Sequence, residues 1–368
     1  MAVVAVAVAV AAAAAAAAAM CKVAAAAAAL ARSSSPKSMR VVSVLPSATE
    51  ALAFIGGADL LVGRSHEDNY PTSITHLPIL TGQKTTFTTA ADVDKQVSEA
   101  LSSGQSLYTL DEALLRELKP DVILTQDLCE VCAIDLKTVE RIAQSLDPQP
   151  KIVSLNPQTF EDVINSLQTI GDAVGRSEAA KTAVDGLLAR VAAVAKVVEE
   201  KGGKHNVGGR IMEQTKLEET VHCMNVAFME WPDPIYVGGH WTPQLITRAG
   251  GEHKLNDVPP ELVETQGGGK SFCVTSEAFV KSNPDLIVVC PCGLNLEATR
   301  AEVDKLGNTE WWPGLATKAK VYLVDGDAHF NRPGPRLVDA LEWLCDVIHK
   351  TSLAPKDFPA EWLEPRLM

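Results

Sequence analysis

The chain runs to 368 residues, enough for about two domains with cores of their own. It is acidic, with 46 Asp and Glu against 33 Lys and Arg and a net charge of −13, a balance that argues against nucleic acid and for a soluble, self-repelling protein. Eight cysteines in so long a chain exclude a disulfide scaffold, and all six tryptophans lie after residue 230.

Residues 1–38 are a low-complexity leader of Ala/Val repeats and a Ser run, with no acidic residue before Glu50. Such a leader reads as an organelle transit segment, for a chloroplast above all. A secretory signal, which lacks here a basic region ahead of its apolar part, and a tail without a targeting role are the alternatives. Residues 1–20 are long enough to span a bilayer, but Ala is too weakly apolar for a membrane helix.

The fold begins after the leader. Residues 40–45 form an apolar run that reads as a buried parallel strand, followed by a helix over 51–55 that Ser47 or Thr49 would cap. Residues 60–63 are a second strand and 77–80 a third, while 90–101 and 109–118 are helical in pattern. Strands follow at 121–125 and 151–155, then a helix over 160–174. Residues 177–201 repeat apolar side chains at three- and four-residue steps, from Ala180, Ala183, Val184 and Leu187 to Leu188, Val191, Val194, Ala195 and Val198. That stripe predicts one helix of roughly 37 Å, a rod suited to joining two bodies. Residues 205–222 lack a period and read as a loop or insertion. Strands at 224–229, 285–290 and 321–324 and helices at 275–281 and 336–349 complete the pattern.

The halves echo each other. A helix, a Pro-Asp turn and an apolar strand occur at 109–124 and again at 275–288, each followed by a cysteine-bearing loop. Strands alternating with helices predict a parallel sheet in each half. The expected division is leader 1–38, N-terminal α/β lobe 39–157, helical bridge 158–203, C-terminal α/β lobe 204–350 and tail 351–368. Ligands of open α/β sheets bind beyond the strands' carboxyl ends, and the polar loops lie there.

Those loops carry the candidate chemistry. Cys129-x-x-Cys132 and Cys290-x-Cys292 fall at matching strand ends, where thiols converging across a cleft could take a soft metal or form a redox pair; small apolar packing is the plainer alternative. His66, His240 and His329 each follow a strand, near Glu67, Glu230 and Asp327, which raises the expectation of a polar or metal-binding cleft. A metal would fall to His66, Cys129, Cys132 and His240. No HxxxH or HExxH spacing occurs, which excludes a helical-motif zinc hydrolase, and no phosphate-loop or GxSxG motif is present. Tyr108, Trp231, Trp241 and Phe330 stand beside these polar groups as core or as a wall for a flat ligand. Gly267 to Lys270 read as a flexible loop. Asn331 and Arg332, stiffened by prolines, could meet an anion or cap the last helix.

Several stretches together resemble a known family: VSVLPSATE (42–50), LVGRSHE (61–67), KPDVILTQ (119–126), CEVC (129–132), EW (230–231), GGHW (238–241), NPDLIV (283–288), PCG (291–293) and RPGPRLVD (332–339). They are similar to the cobalamin-binding branch of the periplasmic binding proteins for iron siderophores and cobalamin. The resemblance spans residues 40–350 and implies two Rossmann-like α/β lobes bridged by a single long α-helix. It also implies a ligand held between the lobes, no catalysis and no covalent cofactor. The ligand would be cobalamin or a ferric chelate, passed by a monomeric carrier to an ABC-type membrane permease. Carried onto this chain, the ligand-binding residues would be Ser47, Thr49, His66, Glu67, Gln126, Asp127, Cys129, Glu130, Cys132, Glu230, Trp231, His240, Trp241, Cys292, His329, Asn331 and Arg332, with Tyr108 added as an aromatic neighbour. The leader departs from the family, since Cys21 follows Ala-Ala-Met rather than a lipobox, and so does the 205–222 stretch. A metal-binding or redox protein using Cys129, Cys132 and Cys292 with cleft histidines is the alternative function, and a retained scaffold with a protein partner is another. Secreted and cytoplasmic locations are the alternatives to the organelle.

Overall fold

Branched apolar residues in short runs build the first sheet. The computed structural model describes residues 38–127, 134–201, 206–207, 210–211 and 223–364. In the N-terminal part β1 (Val41–Ser43), α1 (Pro46–Phe54), β2 (Leu61–Gly63), β3 (Thr81–Gln83), α2 (Ala90–Ser102), β4 (Tyr108–Leu110), α3 (Glu112–Leu118), β5 (Val122–Thr125), α4 (Leu136–Ala143) and β6 (Lys151–Ser154) follow in order. Strands β2-β1-β5-β6 form an all-parallel sheet. Helices cover it, so Val41, Val42, Ile123 and Leu124 are wholly buried and the strands read as unbroken apolar runs. Val42, Val44, Leu115, Ile123, Val139 and Ile142 make the core of one face.

Three expectations shift here. The third strand falls at Thr81–Gln83 and pairs antiparallel with β4, apart from the main sheet. Helix α3 starts only at Glu112, because the Asp111 carboxylate accepts the Leu114 N–H at 2.9 Å and caps it. Helix α1 starts earlier than expected, and neither Ser47 nor Thr49 caps it: Pro46 occupies the first turn, where its missing N–H costs nothing.

The chain then runs through α5 (Phe160–Ala173) into α6 (Ser177–Glu200), the long helix that the apolar stripe predicted. Ala180, Leu187, Val194 and Val198 form its buried line, and Leu188 stays 46 % exposed. A seam this narrow leaves most of the rod's circumference in solvent. The tight α5–α6 approach needs Gly171, where a Cβ would come within 2.3 Å of the Ala180 methyl. Arg190 of α6 fixes the rod to the C-terminal part through Asp339 and Glu342, at 2.5 and 2.6 Å.

After a short pair, β7 (Asn206–Val207) with β8 (Arg210–Ile211), come β9 (Met224–Pro232), β10 (Ile235–Val237), α7 (Thr242–Arg248), β11 (Gly251–Glu252), α8 (Pro260–Gln266), β12 (Phe272–Cys273) and α9 (Ser276–Lys281). Then follow β13 (Leu286–Val289), α10 (Leu296–Leu306), α11 (Trp312–Ala316), β14 (Lys320–Val324), α12 (Leu337–His349) and β15 (Ala360–Leu363). Strands β9, β13 and β14 are parallel, whereas β10 and β15 join the sheet antiparallel, so the parallel expectation holds for its centre only. Strand β15 lies inside the stretch set apart as a tail and closes the sheet's edge. The rest of the expected 205–222 insertion is outside the described residues.

The internal echo has a physical content. Asp121 and Asp285, from the two Pro-Asp turns, accept backbone N–H groups from Arg40 and Asn225 at 2.9 and 2.8 Å. Their carbonyls accept from Lys151 and Lys320, both at 2.9 Å. Each aspartate thus registers three parallel strands at their amino ends, and the fold is two α/β lobes bridged by a long helix.

The narrow seam of α6 is testable by chemical denaturation. Leu187→Ala is expected to cost about 2–5 kcal/mol, while Leu188→Ala, one residue on, should stay within about 0.5 kcal/mol of the parent. Equal losses would contradict the seam.

Candidate functional site

The loops at the strands' carboxyl ends meet across the two lobes. In the N-terminal lobe the turn after β2 is held rigid from within. Arg64 donates to the carbonyls of Asp68 and Thr75, at 2.9 and 2.8 Å. Asp68 accepts from the Thr49 hydroxyl and the Ser65 N–H, both at 2.9 Å. Thr49, expected as a cap, therefore ties α1 to the histidine loop. His66 sits on this turn. Its backbone N–H donates to Thr81 Oγ1 at 3.0 Å, its Nδ1 lies 2.7 Å from the same oxygen, and its ring tilts against Tyr108 at 5.9 Å. The far nitrogen, Nε2, is buried without a partner.

Arg332, from the loop after β14, joins the lobes. Its guanidinium reaches Glu50 of α1 at 3.0 Å, Asn69 Oδ1 at 3.0 Å, the Glu67 carbonyl at 3.1 Å and Asp327 at 2.7 Å. Arg336 adds a second cation on Glu50 at 2.5 Å, and Asn69 donates to Asp327 at 2.5 Å. The Glu50 side chain is 1 % exposed, so its charge depends on both arginines. Further along the seam Trp231 Nε1 donates to the Ala90 carbonyl at 3.1 Å and the Ala90 N–H points to Glu302 at 3.4 Å. On the bridge side Gln244 accepts the Phe160 N–H at 2.7 Å, and Arg248 pairs with Glu161 and Glu264.

In the C-terminal lobe His240 adopts a left-handed backbone, φ 48°. The loop at Gly267 to Lys270 is not free: His240 N–H donates to the Gly269 carbonyl and Gly268 N–H to the His240 carbonyl, both at 2.5 Å. Gly239 permits this approach, since a Cβ there would lie 2.4 Å from Ser271 N. His240 stacks on Trp241 at 5.5 Å and leaves Nδ1 buried and unpartnered. Burial lowers the pKa of His66, and burial followed by the Lys270 charge lowers that of His240, which favours the neutral form of both rings.

The remaining candidates divide. Trp241 is 5 % exposed with its indole N–H committed to the Phe330 carbonyl at 2.6 Å, so it packs rather than forming an open wall. Phe330, wholly buried against Phe228, is likewise core. His329 is buried against Phe358, and burial pushes its pKa down to about 3. Asn331 clamps the Cys290 and Gly326 carbonyls at 2.9 and 3.1 Å, and Glu230 accepts from Ser271 at 2.7 Å. Ser47 is buried, Cys292 and Asp127 are exposed, and Gln126 is 4 % exposed with Nε2 unpartnered. Cys290 is fully buried, and burial first raises its thiol pKa, which disfavours the thiolate a soft metal needs. Cys129, Glu130 and Cys132 lie outside the described residues. Among those described, no group of three or more His, Cys, Asp and Glu is placed to hold a metal. Sequence reasoning missed Glu50, Asn69 and Thr81. A lone charged residue in its helix was the available signal for Glu50; Thr81 had none.

Burial also drives the Glu67 carboxyl up from 4.5 to about 7, against Arg332, with Asp327 and Asp68 adding to the rise. The folded chain therefore keeps a proton that the unfolded chain releases near pH 4.5. The stability it contributes is complete below pH 4.5 and is lost as pH rises through 7. Urea midpoints of Glu67→Gln and the parent should be alike near pH 4.5 and diverge in favour of the variant by pH 8; a constant gap would refute this. Arg332→Leu is expected to cost about 3–5 kcal/mol in the same assay, because it strips one cation from a buried carboxylate.

Comparison with known proteins points the same way as the fold. The family model described as periplasmic binding protein matches residues 41–211. An uncharacterized ABC transporter substrate-binding lipoprotein of Bacillus subtilis is 27 % identical over 313 residues, 84 % of this chain and 80 % of the relative. A periplasmic heme-binding protein of Pseudomonas aeruginosa shares the fold with a TM-score of 0.59 at 17 % identity, covering 89 % of this chain and 96 % of its own. The periplasmic vitamin B12-binding protein of Vibrio cholerae does so with a TM-score of 0.53 at 16 % identity, covering 85 % and 98 %. The organelle expectation is corrected by these findings: the relative is a bacterial lipoprotein and the matched family is periplasmic. Residues 41–211 thus match the periplasmic binding protein family model, and the chain is similar over most of its length to a substrate-binding protein of an ABC transporter.

Proposed function

We propose that the chain holds a corrinoid or a ferric chelate between its lobes, without catalysis, and as a monomer delivers it to a membrane permease. One observation carries this reading. The strand-end loops keep buried polar edges with no protein partner, at His66 Nε2, Gln126 Nε2 and His240 Nδ1. Native interiors leave few such groups unmatched, so water or a bound ligand would complete them, and their grouping at the strand-end loops supports a ligand. A large, flat ligand with polar groups around its edge meets several at once, and Tyr108 and the half-buried Trp231 supply aromatic surface nearby.

Ser47, Thr49, Glu67, Asp327 and Arg332 act in this reading as the frame of the site, since their polar groups are buried or bound to one another. The Arg332 and Trp231 contacts already join the lobes, so closure on binding is a small adjustment rather than a wide hinge. Calorimetric titration with cyanocobalamin, a ferric hydroxamate siderophore and haem is the test. Saturable binding of one of them at one per chain is expected, with Gln126→Ala weakening it about tenfold, the worth of one buried hydrogen bond. No heat from any of the three would overturn the proposal.

A further inference from the structure

We infer that Thr81 sets the tautomer of His66, so that the histidine offers its Nε2–H to an oxygen acceptor of the ligand and not a bare nitrogen to the ligand's metal. This rests on the proposed ligand site and narrows it. Thr81 is 8 % exposed, and its hydroxyl meets two nitrogens of one residue, the His66 backbone N–H at 3.0 Å and the ring Nδ1 at 2.7 Å. The backbone N–H can only donate, so it takes one lone pair of Oγ1. Among the described residues the hydroxyl proton then has one hydrogen-bond partner, Nδ1.

Two arrangements exist for a neutral ring. If Thr81 O–H donates to Nδ1, the ring proton sits on Nε2, and only that N–H waits for a partner. If instead Nδ1–H donates to Thr81, the hydroxyl proton is stranded in a buried place and the Nε2 lone pair is stranded with it. The first arrangement leaves one polar group unmatched and the second leaves two, and buried orphans are costly. Burial of the ring, which lowers its pKa, favours the neutral form and so keeps the choice in force. An amide carbonyl, a carboxylate or a hydroxamate oxygen on the ligand satisfies Nε2–H directly. A metal would have to move that proton to Nδ1 and reverse the Thr81 hydrogen bond, stranding the hydroxyl proton, so the geometry favours ligands recognised by their peripheral oxygens.

The test reads the tautomer itself. Nitrogen-15 NMR of the histidine-labelled full chain, with His66 assigned by its loss in His66→Gln, should show the proton on Nε2 without any ligand. Thr81→Val, which removes the hydroxyl at nearly constant volume, should shift the ring toward the Nδ1–H form, and Thr81→Ser should restore Nε2–H. With cyanocobalamin or the ferric hydroxamate, Thr81→Val should bind about tenfold more weakly and Thr81→Ser near the parent value. A parent ring protonated on Nδ1, or a tautomer unchanged in Thr81→Val, overturns the inference. So does a haem complex whose absorption shows axial ligation that His66→Gln abolishes. If none of the three ligands binds, the proposed function fails while the NMR result still decides the tautomer.

Discussion

A buried carboxylate that must not be left alone organises this molecule. Glu50 lies in a helix of the N-terminal lobe, wholly inside, and its charge is met by Arg332 and Arg336 from the C-terminal lobe. An ion removed from water carries a cost that only close, hydrogen-bonded partners offset. The lobes therefore cannot part at this point without exposing or stranding a charge. Arg332 spends its remaining donors on Asn69, the Glu67 carbonyl and Asp327, which draws the histidine loop and the loop after β14 into the same assembly. The bridging helix holds the other end, where Arg190 is paired with Asp339 and Glu342.

With the rims fixed in this way, the character of the site follows from burial. Carboxyls at the seam hold their protons more tightly than in water, as at Glu67 and Asp68, and the histidines lose theirs more easily. The result is a lining of largely neutral donors and acceptors around a few charges that are spent on the frame. In the proposed reading such a lining would suit a ligand with many uncharged polar groups at its edge and would select by hydrogen-bond pattern more than by charge.

Much of the fold was legible from the residues because its causes are local. The stripe from Ala180 to Val198 announced the long helix, and the two Pro-Asp turns announced the repeated lobes, since each aspartate caps the amino ends of neighbouring strands. The antiparallel additions β10 and β15 escaped notice because strands this short carry little periodicity. The site was legible only as a set of loops. His66, Gln126 and His240 stand near strand ends with an unpartnered buried atom each, but the same reasoning could not tell them from Trp241, whose indole is committed to the Phe330 carbonyl. The glycine-rich stretch at 267–270, flexible by composition, is pinned to the histidine turn by backbone bonds that composition does not encode.

By itself, then, the sequence determined which segments become strands and helices, that the lobes are alike and that a rod joins them, because spacing and turn chemistry act over a few residues. Only the tertiary structure decided which polar side chains are consumed by the frame and which are left waiting. That outcome depends on pairings such as Glu50 with Arg332, separated by 282 positions in the chain, and no short-range pattern foretells where their charges meet.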